Sequence, residues 1–194
     1  MALTLRYRAT TTVPVEVEGI TPDRVSRMSL NDVQQIPIFA GNARVPLAEL
    51  FDVSGDPSDR CMDWHGDLSG VHWVGARMQK GQIRIHGPVG RHLGSGMSGG
   101  QIDVQGDAGD WLGAELQGGS IQVHGSAGHL VGAAYRGSPR GMTGGTILVD
   151  GPAGNEVGHS MRRGLIAIGG AAGDLIGFHM LAGTILVFGA VGIR

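Results

Sequence analysis

Glycine placement constrains this chain more than any other feature. The stretch "GPVGRHLGSGMSGGQIDVQ" (87–105) is followed by "GDAGDWLGAELQGGSIQVH" (106–124), the same 19 residues long and broken by glycine at nearly the same places. Further copies run "GSAGHLVGAAYRGSPRGMTGGTILVD" (125–150), "GPAGNEVGHSMRRGLIAIG" (151–169) and "GAAGDLIGFHMLAGTILVF" (170–188). An imperfect copy covers 66–86, and "GAVGIR" (189–194) opens a seventh. Each copy begins G-x-x-G-x-x-x-G. An interior glycine costs a helix about 1 kcal/mol relative to alanine, so several per copy exclude helices. The glycines do not recur at every third position, which excludes a collagen triple helix.

A short apolar run ends each copy, and it alternates: Ile102 and Val104, Ile121 and Val123, Ile147 and Val149, Ile166 and Ile168, Ile185 and Val187. Period two is the signature of a strand with one buried face. One such strand per copy cannot bury itself, so copies are expected to stack with equal positions aligned. Met78, Met97, Leu116, Met142, Met161 and Met180 then form one interior line. Val74, Leu93, Leu112, Val131, Val157 and Ile176 form another. The expected fold is all-β: a right-handed parallel β-helix of glycine-rich rungs over 61–194, with a small α+β cap over 1–60. In the cap, "LTLRY" (3–7) and "VPVEV" (13–17) read as strands, and "TPDRVSRM" (21–28), "SLNDVQQI" (29–36) and "PLAELF" (46–51) as short helices. The stop a few residues into a copy suggests a truncated chain, or an end closed by a partner.

A net charge of −2 gives no electrostatic case for nucleic acid or an anionic membrane, and no run approaches the about 20 apolar residues of a membrane span. Cys61 is the only cysteine, which favours a reducing, cytoplasmic setting. "GSGMSG" (94–99) matches a dinucleotide-binding pattern but precedes a strand instead of a helix, so it reads as punctuation. His86 and His124 fall two copies apart, and Cys61 with His65 lacks a second close pair, so no metal site is assigned. Asp103, Asp107, Asp110 and Glu115 read as solvated corner residues. No catalytic or cofactor-binding residue is assigned either.

Two features point to a docking role. The copy at 125–150 is expanded by a loop that carries Tyr135, Arg136, Ser138, Pro139 and Arg140, with Arg162 and Arg163 in the next copy. Insertions in a repeat often build its binding face, and Tyr and Arg dominate interface hot spots. In addition, the outward strand position changes from Arg84, Asp103 and Gln122 to Leu148, Ala167 and Leu186, with Phe188 at the strand end. Tyr135, Arg136, Arg140, Leu148, Arg162, Arg163, Ala167, Leu186 and Phe188 are the expected subunit interface.

Together, the expanded segment "VGAAYRGSPRGMTGG" (131–145), "GHSMRRG" (158–164), "GFHMLAGTI" (177–185) and "IPIFAGNARVPLAELFDVSG" (36–55) resemble the C-subunit family of formylmethanofuran dehydrogenase. The glycine series is also similar to the C-terminal β-helix domain of the glutamate synthase large chain. Fourteen arginines against a single lysine, Lys80, point to the bacterial counterpart, the formyltransferase/hydrolase complex. The resemblance implies a non-catalytic scaffold among sister subunits, in one-carbon metabolism from formaldehyde to formate. It places a methanofuran-type carrier (methylofuran) and tetrahydromethanopterin on other subunits. The glutamate synthase likeness implies an alternative, a domain framing a substrate tunnel.

Overall fold

A computed structural model of the chain describes residues 2–8 and 13–193. Most of its strands lie in one nine-stranded sheet. The repeats supply β8 (Gln82–His86), β9 (Gln101–Val104), β10 (Ser120–Val123), β11 (Thr143–Val149), β12 (Arg163–Ile168) and β13 (Thr184–Val187). β6 (Cys61–His65) precedes them, and β1 (Leu3–Tyr7) lies between β6 and β5 (Phe51–Ser54). All neighbours in this sheet are parallel except β1 and β5, and β13 and β5 are its two edges. A second sheet joins β2 (Val15–Glu16), β3 (Pro37–Ala40), β4 (Ala43–Pro46) and β7 (Val71–His72), in the order β4-β3-β2-β7. Three short helices, α1 (Pro22–Val25), α2 (Leu30–Gln34) and α3 (Leu47–Leu50), fall where the sequence places them. "VPVEV" is a strand only at its centre.

The expectation of a right-handed parallel β-helix built of repeated rungs is corrected. The strands form an open, mixed sheet, and no closed coil is present among the described residues. The reason lies in the segments between strands. Alternate residues there have left-handed backbone, as at Trp111, Gly113 and Glu115 with φ of 64°, 57° and 54°. A chain coiled this way cannot ladder as extended strands. Each copy therefore contributes one strand and, on the return path, one bridge residue, in the series Leu68, Val89, Ala108, Ala127, Ala153, Ala172 and Val191.

The strand registers hold the interior lines. Ile83, Ile102, Ile121, Ile147, Ile166 and Ile185 are successive partners across the sheet, as are Ile85, Val104, Val123, Val149, Ile168 and Val187. All but Ile185 and Val187 are buried. The methionine line and the Val74 line are buried as far as Met161 and Val157. Glycine is required opposite these side chains. A Cβ on Gly113 would lie 2.5 Å from Ile147 Cδ1, and one on Gly119 would lie 2.5 Å from Met97 Cε. The isoleucine of one copy thus fills the space left by the glycine of the copy before, which is why the two residue types recur together.

Candidate functional site

The expanded copy makes the one large departure from this regularity. Trp73, His92 and Trp111 occupy equal positions in three successive copies, all with left-handed backbone. That conformation costs a non-glycine residue about 1–3 kcal/mol. Ring packing offsets it: Trp73 and His92 stack with centroids 4.1 Å apart, and His92 and Trp111 at 6.2 Å. Tyr135 folds back from the expanded loop onto this column, stacking on Trp111 at 4.7 Å. Its hydroxyl lies 2.8 Å from His92 Nδ1 and 2.6 Å from the buried Ser95 Oγ. Its backbone N–H donates to Glu115 Oε1 at 3.3 Å. Burial pushes Tyr135 up to about 12 and His92 down to about 4. Near neutral pH both groups are uncharged, so His92 Nδ1 can accept the phenol proton while Ser95 donates to the phenol oxygen.

Tyr135 thereby closes a cavity of about 200 Å³ that is also lined by Trp111, Leu130, Ser138, Glu156 and His159. His159 Nδ1 lies 2.8 Å from Glu156 Oε2. The far end of the loop is tied down by Arg162, whose Nη2 donates to the Pro139 carbonyl at 2.7 Å. Arg162 Nη1 donates to the carbonyls of Ser160 and His179 at 3.0 and 3.2 Å. Arg136, Arg140 and Arg163 are exposed. Of the expected interface residues, the fold brings together Tyr135, Arg140, Arg162 and Arg163 around the loop. Leu148, Ala167 and Leu186 align in strand register. Their line continues from Asp63, Arg84, Asp103 and Gln122. Leu148 and Ala167 are half-buried, Leu186 is 44% exposed and Phe188 is 75% exposed.

Several polar residues turn out to serve the backbone, a role that sequence reasoning misses. Asp107 Oδ1 accepts from Ser126 N–H at 2.7 Å, and Asp110 Oδ1 from His129 N–H at 2.8 Å. The second contact recurs copy after copy: His129 Nδ1 accepts from Asn155 N–H, Asn155 Oδ1 from Asp174 N–H, and Asp174 Oδ1 from Ile193 N–H. Each side chain satisfies a backbone donor one copy ahead that turns would otherwise leave open. His124 sits between Asp150 and Asp103, at 2.8 and 3.2 Å, and the Asp150 hydrogen bond leads in raising its pKa. His86 stacks on His65 at 4.3 Å. "GSGMSG" lies in the turns before β9. Among the described residues, no group of three or more His, Cys, Asp or Glu could hold a metal ion. No helix among them is long and apolar enough to cross a membrane.

Fold and site together define a glycine-punctuated sheet protein with a clamped, arginine-bearing loop beside an apolar outer face. No family model matches the chain. It is 40% identical over 83 residues to the C subunit of the molybdenum-containing formylmethanofuran dehydrogenase 1 of Methanothermobacter thermautotrophicus, covering 42% of this chain and 21% of that protein. It is 40% identical over 87 residues to the C subunit of the tungsten-containing formylmethanofuran dehydrogenase 2 of Methanothermobacter marburgensis, covering 43% and 32%. The alignments therefore span about a fifth to a third of these curated relatives. A chain in the crystal structure of the formyltransferase/hydrolase complex of Methylorubrum extorquens, solved with methylofuran, superposes with a TM-score of 0.87. Identity there is 30%, over 98% of this chain and 78% of that one. The chain belongs to the C-subunit family of formylmethanofuran dehydrogenase. Its described residues do not fit the molybdenum or tungsten named for the relatives, because they gather no set of metal ligands.

Proposed function

We propose that this chain is a non-catalytic scaffold subunit of a cytoplasmic, bacterial formyltransferase/hydrolase complex. It serves one-carbon metabolism linked to a methylofuran-type carrier and tetrahydromethanopterin, and both are handled by sister subunits. The described residues ahead of Cys61 close one end of the sheet, with β1 and β5 as its last strands. Tyr135, Arg136, Arg140, Arg162, Arg163, Leu148, Ala167, Leu186 and Phe188 form the contact face. The observation that carries this reading is the superposition of nearly the whole chain on a chain of such a complex. The aspartates and histidines of the copies support it, because they are engaged with backbone and with each other. The tunnel-framing alternative finds no support, since the interior lines are filled by buried Met, Leu, Val and Ile side chains.

Co-expression of the tagged chain with the other subunits, followed by mass measurement of the purified assembly, tests the proposal. A stable hetero-oligomer that transfers and hydrolyses formyl groups, beside an inert isolated chain, is the expected result. Formyl transfer by the isolated chain that disappears on mutating one His or Asp would overturn it, as would failure to assemble.

A further inference from the structure

Eight of the fourteen arginines form two contrasting sets, while Arg24, Arg27, Arg44 and Arg60, elsewhere in the sequence, also make no ion pair among the described residues. Arg8, Arg77, Arg84 and Arg91 each face a carboxylate, on Asp52, Glu18, Asp63 and Asp110, at 3.2 to 3.7 Å. Arg136, Arg140, Arg162 and Arg163 make no ion pair among the described residues, although they lie close together in a chain of net charge −2. Three of them, with Thr143, line a depression of about 430 Å³ that contains no acidic side chain. Glu115 lines an adjoining depression with Arg140 and accepts from Tyr135 N–H.

One of these charges is held in place, and the backbone that carries the others is tied down. Arg162 is fixed by carbonyls of three segments, Pro139, Ser160 and His179. Tyr135 clamps the other end of the loop to His92 and Ser95. Thr143 and Arg163 are register partners at the start of β11 and β12. A guanidinium already held, as that of Arg162 is, loses little freedom on binding, and guanidinium pairs with carboxylate in a two-pronged geometry. Like charges gathered without counter-charges cost the free chain energy, and an anionic partner removes that cost. Arg163 also leads into the strand that carries Ala167, so the depression borders the apolar strip as a polar rim borders an interface core.

We infer that this depression receives an acidic segment of a partner protein, with two side-chain carboxylates engaging Arg140 and Arg163 beside the fixed charge of Arg162. The inference rests on the scaffold reading and names the chemistry of the surface that docks there. A protein segment is favoured over nucleic acid because the basic area is small and the rest of the chain is slightly acidic.

The test is a salt series on the co-expressed complex. Wild type should assemble, and Arg140→Glu with Arg163→Glu should dissociate at a salt concentration at least several-fold lower. Arg84→Gln, at the paired end of the same sheet, should change nothing. In parallel, the purified chain is titrated with a Glu-rich octapeptide, with its Gln counterpart and with duplex DNA. Binding of the acidic peptide that falls at least tenfold in the double variant supports the inference. Equal binding of the Gln peptide, tighter binding of DNA, or unchanged salt resistance of the double variant overturns it and leaves the scaffold reading standing. A wild-type chain that binds the acidic peptide through these arginines but joins no complex overturns the scaffold reading instead.

Discussion

The strands at 82–123 and those at 143–187 share an interior and differ outside. Inward, both present Ile and Val in unbroken register. Outward, the first group carries Arg84, Asp103 and Gln122, with Arg84 paired to Asp63 and His124 to Asp103. The second carries Leu148, Ala167 and Leu186, and the arginines beside it make no ion pair among the described residues. Since the core is the same, folding does not require the change. An antiparallel or solvated face alternates, whereas a strand covered on both sides reads as a continuous apolar run. On the function proposed above, the difference is what a partner covering the later strands would require.

The largest expected effect tests the shared interior. Ile121→Ala and Ile166→Ala, both fully buried, should each lose about 2–5 kcal/mol in urea denaturation. A late variant far milder than the early one would break the equivalence of the two regions. Next comes the clamp that joins them. Tyr135→Phe keeps the stacking but strands the buried Ser95 hydroxyl, at about 1–2 kcal/mol. Hydrogen exchange should quicken in the expanded loop and not in β9.

Two histidines of the earlier copies, His92 and His124, shift in opposite directions. His92, depressed to about 4 by burial, stays neutral while the unfolded chain takes up a proton near pH 6.5. Its contribution to stability is thus intact above pH 6.5 and is lost as pH falls towards 4. His124 is raised, chiefly by Asp150, so its contribution is present below pH 6.5 and is lost as pH rises through the raised value. Urea midpoints measured from about pH 4 to 8 should flatten on the acid side in His92→Gln and near neutral in His124→Gln. The reverse pattern would refute both assignments. The smallest effect belongs to the exposed Arg84–Asp63 pair, where Arg84→Ala should cost no more than about 1 kcal/mol.

Much of this is legible in the sequence. The alternation of Ile102 and Val104, or Ile121 and Val123, names the strands, their inward side chains and their register. The change from Gln122 to Leu148 names the line on which the outward face turns apolar. Closure of the coil is misjudged because spacing shows where glycine recurs but not that Trp111 and Glu115 share its left-handed backbone. The 19-residue interval between Trp73, His92 and Trp111 is a signal for the aromatic column. Nothing local, however, shows Tyr135 returning across it, because that contact depends on where the expanded loop folds. Asp110 reads as a solvated corner for a similar reason: its acceptor role exists only once the next copy brings His129 N–H to it.

The central claim is that the outer face of the later strands is a partner surface, and Leu148→Asp with Leu186→Asp tests it most directly. Both positions lie on the outward line and neither fills the interior, so the double variant should keep its circular dichroism and lose little stability. Co-expressed with the other subunits, it should elute alone. Recovery of the double variant in an intact, active complex would contradict the account.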